Sequence, residues 1–299
     1  MNVNFFFEVL IGGLLAGVMY ALVALGYVLI YKASGVFNFA QGSMLFFAAL
    51  TCVSLTEFGL PLWVAIIATM AAMWLLALAI ERAVLRPLVN QSEISLFMAT
   101  IGLSFFIEGL AQLLWGAEVK RLDLGIEDVP LESLMNNFNI LVSKFDVTSA
   151  AICALLVTAL ALFFSRTSVG RALRAVADDH QAALAVGIPL QQIWGIVWGV
   201  AGFVALVAGL LWGARNGVQF SLTFVALKAL PVLILGGFTS VPGAIIGGLI
   251  IGASEKLAEV YIGPFVGGGI EGWFPYVLAL LFLLVRPEGL FGEKIIRRV

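Results

Sequence analysis

The sequence predicts an all-α fold, a polytopic transmembrane helical bundle of about eight to nine spans, some of them broken or re-entrant. Three observations predict it. First, 62% of the 299 residues are hydrophobic and only 11% are charged, against roughly 25% charged in a soluble domain. Mean hydropathy is +1.09, so lipid is the solvent that accommodates this surface. Second, the apolar residues fall in runs, several of them near the roughly 20 residues needed to cross a bilayer. Third, glycines recur four apart at Gly13/Gly17, Gly195/Gly199, Gly209/Gly213, Gly243/Gly247 and Gly248/Gly252. Small residues at that spacing let helices approach closely where lipid gives no hydrophobic drive between them.

Taken in order, the predicted spans cover residues 9–31, 37–57, 60–80, 94–117, 148–165, 192–213, 223–236, 243–260 and 272–285. The first lies in an N-terminus with no Lys or Arg before Lys32, unlike a cleaved signal peptide. The spans 223–236 and 272–285 are short, as in broken or re-entrant helices that line a cavity. The whole chain, 1–299, reads as one transmembrane domain with two long loops, 118–147 and 166–191.

Basic residues set the orientation. Arg82, Arg86, Arg166, Arg171, Arg174 and the tail from Arg286 onward hold nine of the 16 basic residues, which places these segments in the cytoplasm. Loop 118–147 carries six acidic residues against three basic ones and goes outside. With alternating spans the N-terminus is then outside and the C-terminus inside. A re-entrant 33–45 segment would flip the N-terminus.

Several function classes are excluded at this level. Net charge is −2, with no basic face for nucleic acid. Cys52 and Cys153 lie inside apolar runs and read as packing residues, and the single His180 builds no metal site alone. No catalytic group and no metal-ligand set stands out.

Two polar clusters interrupt the apolar background. In "SGVFNFAQGSMLFF" (34–47), Asn38, Gln41 and Ser43 lie among Gly35 and Gly42. Glycines weaken the helix there, and the amides either satisfy freed backbone groups, line a wet path, or hold helices together. In "TIGLSFFIEGLAQ" (100–112), Thr100, Ser104, Glu108 and Gln112 recur every four residues and share one helix face. An ionised Glu facing lipid costs several kcal/mol, so this face looks inward. It lines a pore, or Glu108 pairs with Lys228 as a structural lock. These eight residues are the candidate pathway set.

The segment "SVGRALRAVADDHQAALAVGIPLQQ" (168–192) predicts a helix over 170–186, ended by Gly187 and followed by Pro189. It is either a docking helix for another protein or an amphipathic helix on lipid headgroups. Asp178 and Asp179 disfavour anionic lipid. Its "QAALAVG" resembles the E-A-A-x-x-x-G loop of ABC-transporter permeases, with Gln181 in place of Glu. No G-x-x-x-x-G-K-[ST] loop occurs in the chain, so no nucleotide phosphate is cradled here.

Four segments carry a more specific resemblance: residues 13–42 with the "NFAQG" signature, 170–188, "LKALPVLILGGFTSVPGAIIGGLIIG" (227–252) and "LVRPEGLFG" (284–292). Together they are similar to the branched-chain amino acid permease family of ABC importers, the LivH type rather than its longer LivM-type partner. Gln41 stands where that family usually has His, and Thr239 where it has Gly. The resemblance implies a multi-pass protein of the bacterial inner (plasma) membrane. It implies a LivM-type sister permease, two ATPase subunits that bind ATP and Mg, and a periplasmic substrate-binding protein, with no cofactor on this chain. Arg171, Arg174, Gln181, Ala182, Ala183 and Gly187 are then the coupling residues. The implied cargo is branched-chain or other small hydrophobic amino acids. Urea, short amides or aromatic acids are the alternative within the class, and an ATP-independent carrier or channel is the alternative outside it.

Overall fold

The structure, a computed structural model, describes residues 3–88, 91–178 and 180–292, except for the side chains of Glu93, Asn137, His180 and Gln181. The helices are α1 (Val3–Ser34), α2 (Gln41–Glu57), α3 (Leu62–Ile80), α4 (Glu93–Trp115), α5 (Glu132–Phe138), α6 (Lys144–Arg166) and α7 (Ser168–Asp178). They continue with α8 (His180–Ala185), α9 (Leu190–Asn216), α10 (Thr223–Lys228), α11 (Leu230–Gly236), α12 (Val241–Tyr261), α13 (Gly263–Val266) and α14 (Phe274–Val285). Six segments are long and apolar enough to cross a membrane: α1, α3 with its extension to Leu88, α4 from Ile94, α6, α9 and α12. Phe220–Gly236 and Phe274–Val285 are shorter apolar stretches. β pairing among the described residues amounts to two isolated bridges. The all-α multi-pass class expected from the composition is the class observed.

The short span expected at 223–236 is a broken one. It is built of a 3-10 turn (Phe220–Leu222), α10 and α11, with the helix interrupted at Ala229 just before Pro231. Proline has no N–H and its ring crowds the preceding turn, so the helix restarts instead of continuing.

The chain divides into two compact units, one of residues 1–25, 125–158 and 228–299, the other of 26–124 and 159–227. In the first, glycines join α1 to α12 backbone to backbone. A Cβ on Gly13 would meet the Gly252 carbonyl oxygen at 2.7 Å, and one on Gly17 the Gly248 oxygen at 2.5 Å. Gly247 approaches the Val232 carbonyl of α11 in the same way, at 2.7 Å. After α14 the chain returns to this layer, where the Leu290 N–H donates to the Leu235 carbonyl at 2.8 Å.

In the second unit α9 is buried along most of its length. Its glycines set the depth of packing. Gly209 lies against the Leu45 carbonyl of α2, Gly202 against Met44 and Met73, and Gly199 against the Trp74 ring of α3. One end of this unit holds the Trp194 indole, which donates to the Ala33 carbonyl at 2.9 Å. The other holds Lys120, bonded to Glu57 at 2.6 Å and bridged to Val218. The chain from 33 to 57 therefore runs from end to end of the unit.

Candidate functional site

The site in the second unit begins with a helix break that the sequence dictates. α1 ends at Ser34, and Gly35 follows in the left-handed region (φ 71°), where a side chain is disfavoured. Its N–H donates to the Tyr31 carbonyl at 2.7 Å. α2 starts only at Gln41, so the backbone of residues 35–40 needs other partners. Asn38 Oδ1 accepts from the Ala40 N–H at 3.1 Å, and its Nδ2 donates to Gln41 Oε1 at 3.3 Å. Gln41 Nε2 donates in turn to the Ala201 carbonyl of α9 at 3.4 Å. Asn38 and Gln41 are both 0% exposed. Thr100 of α4 completes the seal: its hydroxyl oxygen accepts from the Phe39 N–H at 3.3 Å and donates to the Phe97 carbonyl at 2.8 Å.

Beside this break lies a cavity of about 230 Å³. Its polar lining includes Ser43, Ser104, Glu108 and Thr223. The Ser43 hydroxyl donates to Glu108 Oε1 at 2.7 Å, and Ser104 Oγ lies 2.7 Å from Ser43 Oγ and 3.3 Å from the same carboxylate oxygen. The four-residue spacing of α4 and the first turn of α2 bring these groups together. The remaining wall is mostly apolar, with the rings of Tyr27, Phe39, Phe105, Phe220 and Phe224. Gly42 is glycine because α10 crosses there: a Cβ would meet the Thr223 carbonyl oxygen at 2.5 Å.

Of the eight residues predicted to form a pathway, Ser43, Ser104 and Glu108 line this cavity. Asn38, Gln41 and Thr100 hold the adjoining break closed, and Gln112 is half-buried one turn further along α4. Lys228 belongs to the other unit. Of the two alternatives for Glu108, a pore lining or a pair with Lys228, the pair is not the one observed: Glu108 takes hydrogen bonds from the serines, and Lys228 pairs with Glu255 of α12 at 3.2 Å. Tyr20 of α1 also donates to Glu255, at 3.4 Å. A four-residue ladder fixes which residues share a face, but not which element lies opposite. The aromatic wall was not singled out in the sequence. Phe220 and Phe224, four apart in the broken segment, are its only periodic signal.

The loop 166–191 folds as α7 and α8, with Asp179 between them outside the described residues. Gly187 (φ 85°) ends α8 as expected, with its N–H bonded to the Leu184 carbonyl at 3.0 Å. Arg174 donates to the Phe164 carbonyl at 2.8 Å, capping the C-terminus of α6. Arg171 is exposed. Ala183 is 2% exposed and packs inward, whereas Ala182 and Gly187 face outward beside Leu184 and Val186, which are 50% and 76% exposed. The Gln181 side chain lies outside the described ones.

A profile of the family described as "Branched-chain amino acid transport system / permease component" matches residues 9–286. Among curated proteins, the chain is 29% identical to the high-affinity branched-chain amino acid transport system permease protein LivH of Escherichia coli K12, covering 99% of this chain and 98% of that one. It is 30% identical to the corresponding permease protein BraD of Pseudomonas aeruginosa, over 98% of each chain. The fructose import permease protein FruF of Bifidobacterium longum is 25% identical, over 79% of this chain and 66% of that one. With a match from end to end, and the membrane helices that match requires, the chain belongs to the branched-chain amino acid transport permease family and is a multi-pass protein of the inner (plasma) membrane.

Proposed function

We propose that the chain forms half of the translocation pore of an ATP-driven importer for branched-chain or other small hydrophobic amino acids. The observation that carries this reading is the cavity: about 230 Å³, walled by aromatic and aliphatic side chains, with one carboxylate and its two serines as the main polar groups. That volume is below the roughly 300–1,000 Å³ of drug-sized ligand sites and suits a small solute with an apolar body. A sugar or urea would find few hydrogen-bond partners on such a wall.

A LivM-type sister permease supplies the second half of the pore, and a periplasmic binding protein delivers the solute. Two ATPase subunits bind the loops and hold ATP and Mg. On this chain the docking surface is Ala182, Leu184, Val186 and Gly187, and Arg171 and Gln181 belong to the same coupling set. Ala183 supports it from behind, since it is buried, and Arg174 holds the end of α6 before α7. Closure of the ATPases rocks the loops, and the pore opens to one side at a time.

The reading is tested by deleting the gene in its host and measuring uptake of labelled leucine, urea and benzoate. Selective loss of leucine uptake, restored by the gene on a plasmid, is expected. Loss of urea or benzoate uptake with leucine uptake intact would contradict the assigned cargo.

A further inference from the structure

We infer that Glu108, held by Ser43 and Ser104, is the subsite for the ammonium group of the transported solute, so that the permease itself selects for a primary ammonium on an apolar body. This rests on the reading that the cavity carries the solute. Oε1 of Glu108 receives the serine hydroxyls at 2.7 and 3.3 Å, while Oε2 is bonded to no group among the described residues. The serines fix the orientation of the carboxylate and leave the second oxygen for a ligand. No basic residue is present among the described lining residues, and the ion pairs found among the described residues do not involve Glu108. Tyr27, Phe39, Phe105, Phe220 and Phe224 line the same space, with Phe105, Phe220 and Phe224 at its open side. Aromatic faces attract a cation through their quadrupole and also accept an aliphatic side chain. A carboxylate ligand meets the opposite conditions, a like charge and no donor cation. A space of this size holds roughly eight waters at about 30 Å³ each, the scale of one small amino acid.

The site therefore favours small amines most, and among carboxylate-bearing solutes it favours those that also carry an ammonium over 2-oxo acids and aromatic acids. This selection is separate from any made by a delivering protein. One charge-assisted hydrogen bond corresponds to roughly ten- to a hundredfold in affinity.

The test is binding of labelled leucine to the full transporter complex in nanodiscs, without any delivering protein, in competition with 3-methylbutylamine (ammonium, no carboxylate) and 4-methylpentanoate (carboxylate, no ammonium). The amine is expected to displace leucine and the acid is not. In Glu108→Gln the affinity for leucine and for the amine should fall about tenfold or more, and in Glu108→Asp it should fall less. Displacement by the acid but not the amine in the wild-type complex would overturn the inference without any variant. So would unchanged amine affinity in an assembled Glu108→Gln complex. If leucine neither binds nor is taken up, the proposed cargo fails, and direct binding of labelled amine to wild type and Glu108→Gln still decides the subsite.

Discussion

The ammonium of Lys228 lies 3.2 Å from Oε1 of Glu255, a side chain only 2% exposed. Two helices thus meet at an ion pair whose acidic partner is buried, with the Tyr20 hydroxyl added from a third. Breaking such a pair from one side leaves an uncompensated charge, at a cost of about 3–5 kcal/mol, whereas removing both partners is far cheaper. Lys228→Ala should therefore destabilise the purified protein more than the double variant Lys228→Ala/Glu255→Ala. Thermal unfolding of the four proteins of the cycle measures this, and strictly additive shifts would contradict the pairing.

Adjacent glycines in the N-terminal third of α1 should behave in opposite ways. A Cβ on Gly13 collides with the Gly252 backbone, while nothing lies within 4 Å of one on Gly12. Gly13→Ala should lower the melting temperature and the yield of folded protein. Gly12→Ala should be neutral or stabilising, by up to about 1 kcal/mol from helix propensity. Size-exclusion profiles with melting curves separate the two, and equal tolerance would refute the close α1–α12 contact.

Arg174 and Arg171 lie one turn apart on α7 and should separate stability from coupling. The Arg174 guanidinium holds the last carbonyls of α6, a charged hydrogen bond worth about 1.5–3 kcal/mol. Arg174→Ala should lower thermal stability by that order. Arg171→Ala, at an exposed position, should leave the melting curve in place and reduce transport-coupled ATP hydrolysis. A stable Arg174→Ala and an unstable Arg171→Ala would reverse the assignment.

Acid should weaken the loop between α12 and α14. The hydrogen bond from Lys256, 3.0 Å away, is the main cause holding the Glu271 carboxyl below the usual carboxylate range. A lowered folded-state value contributes stability that is complete above the unfolded-state value, near pH 4.3, and is lost as pH falls through the folded one. Wild type should therefore lose more stability than Lys256→Gln between about pH 5 and pH 3. Parallel pH profiles of the two melting curves would show that the pair contributes nothing.

How much of this was legible in the sequence differs by feature. The class, the broken segment near Pro231 and the close-packing glycines were readable, because composition, span length and small-residue spacing report directly on burial in lipid. The ladder on α4 was readable as a face, since period alone sets it. The partner of Lys228 was not readable. Lys228 and Glu255 are 27 residues apart on separate helices, and no periodicity links them. The aromatic wall was hidden for another reason: with 23 phenylalanines in the chain, Phe220 and Phe224 carry no compositional signal. The bond from Arg174 to the Phe164 carbonyl was not readable either, because sequence shows the charge's sign but not the α6 carbonyl it reaches.

The central claim is that ATP hydrolysed on partner subunits drives leucine-like amino acids through this chain. The most direct measurement is leucine accumulation in proteoliposomes holding the complete transporter, with the delivering protein outside, ATP and Mg enclosed, and ionophores present to collapse every ion gradient. The account predicts accumulation above the external concentration with enclosed ATP and none with a non-hydrolysable analogue. Accumulation without ATP, driven by a proton or sodium gradient and abolished by ionophore, would contradict it and identify a secondary carrier.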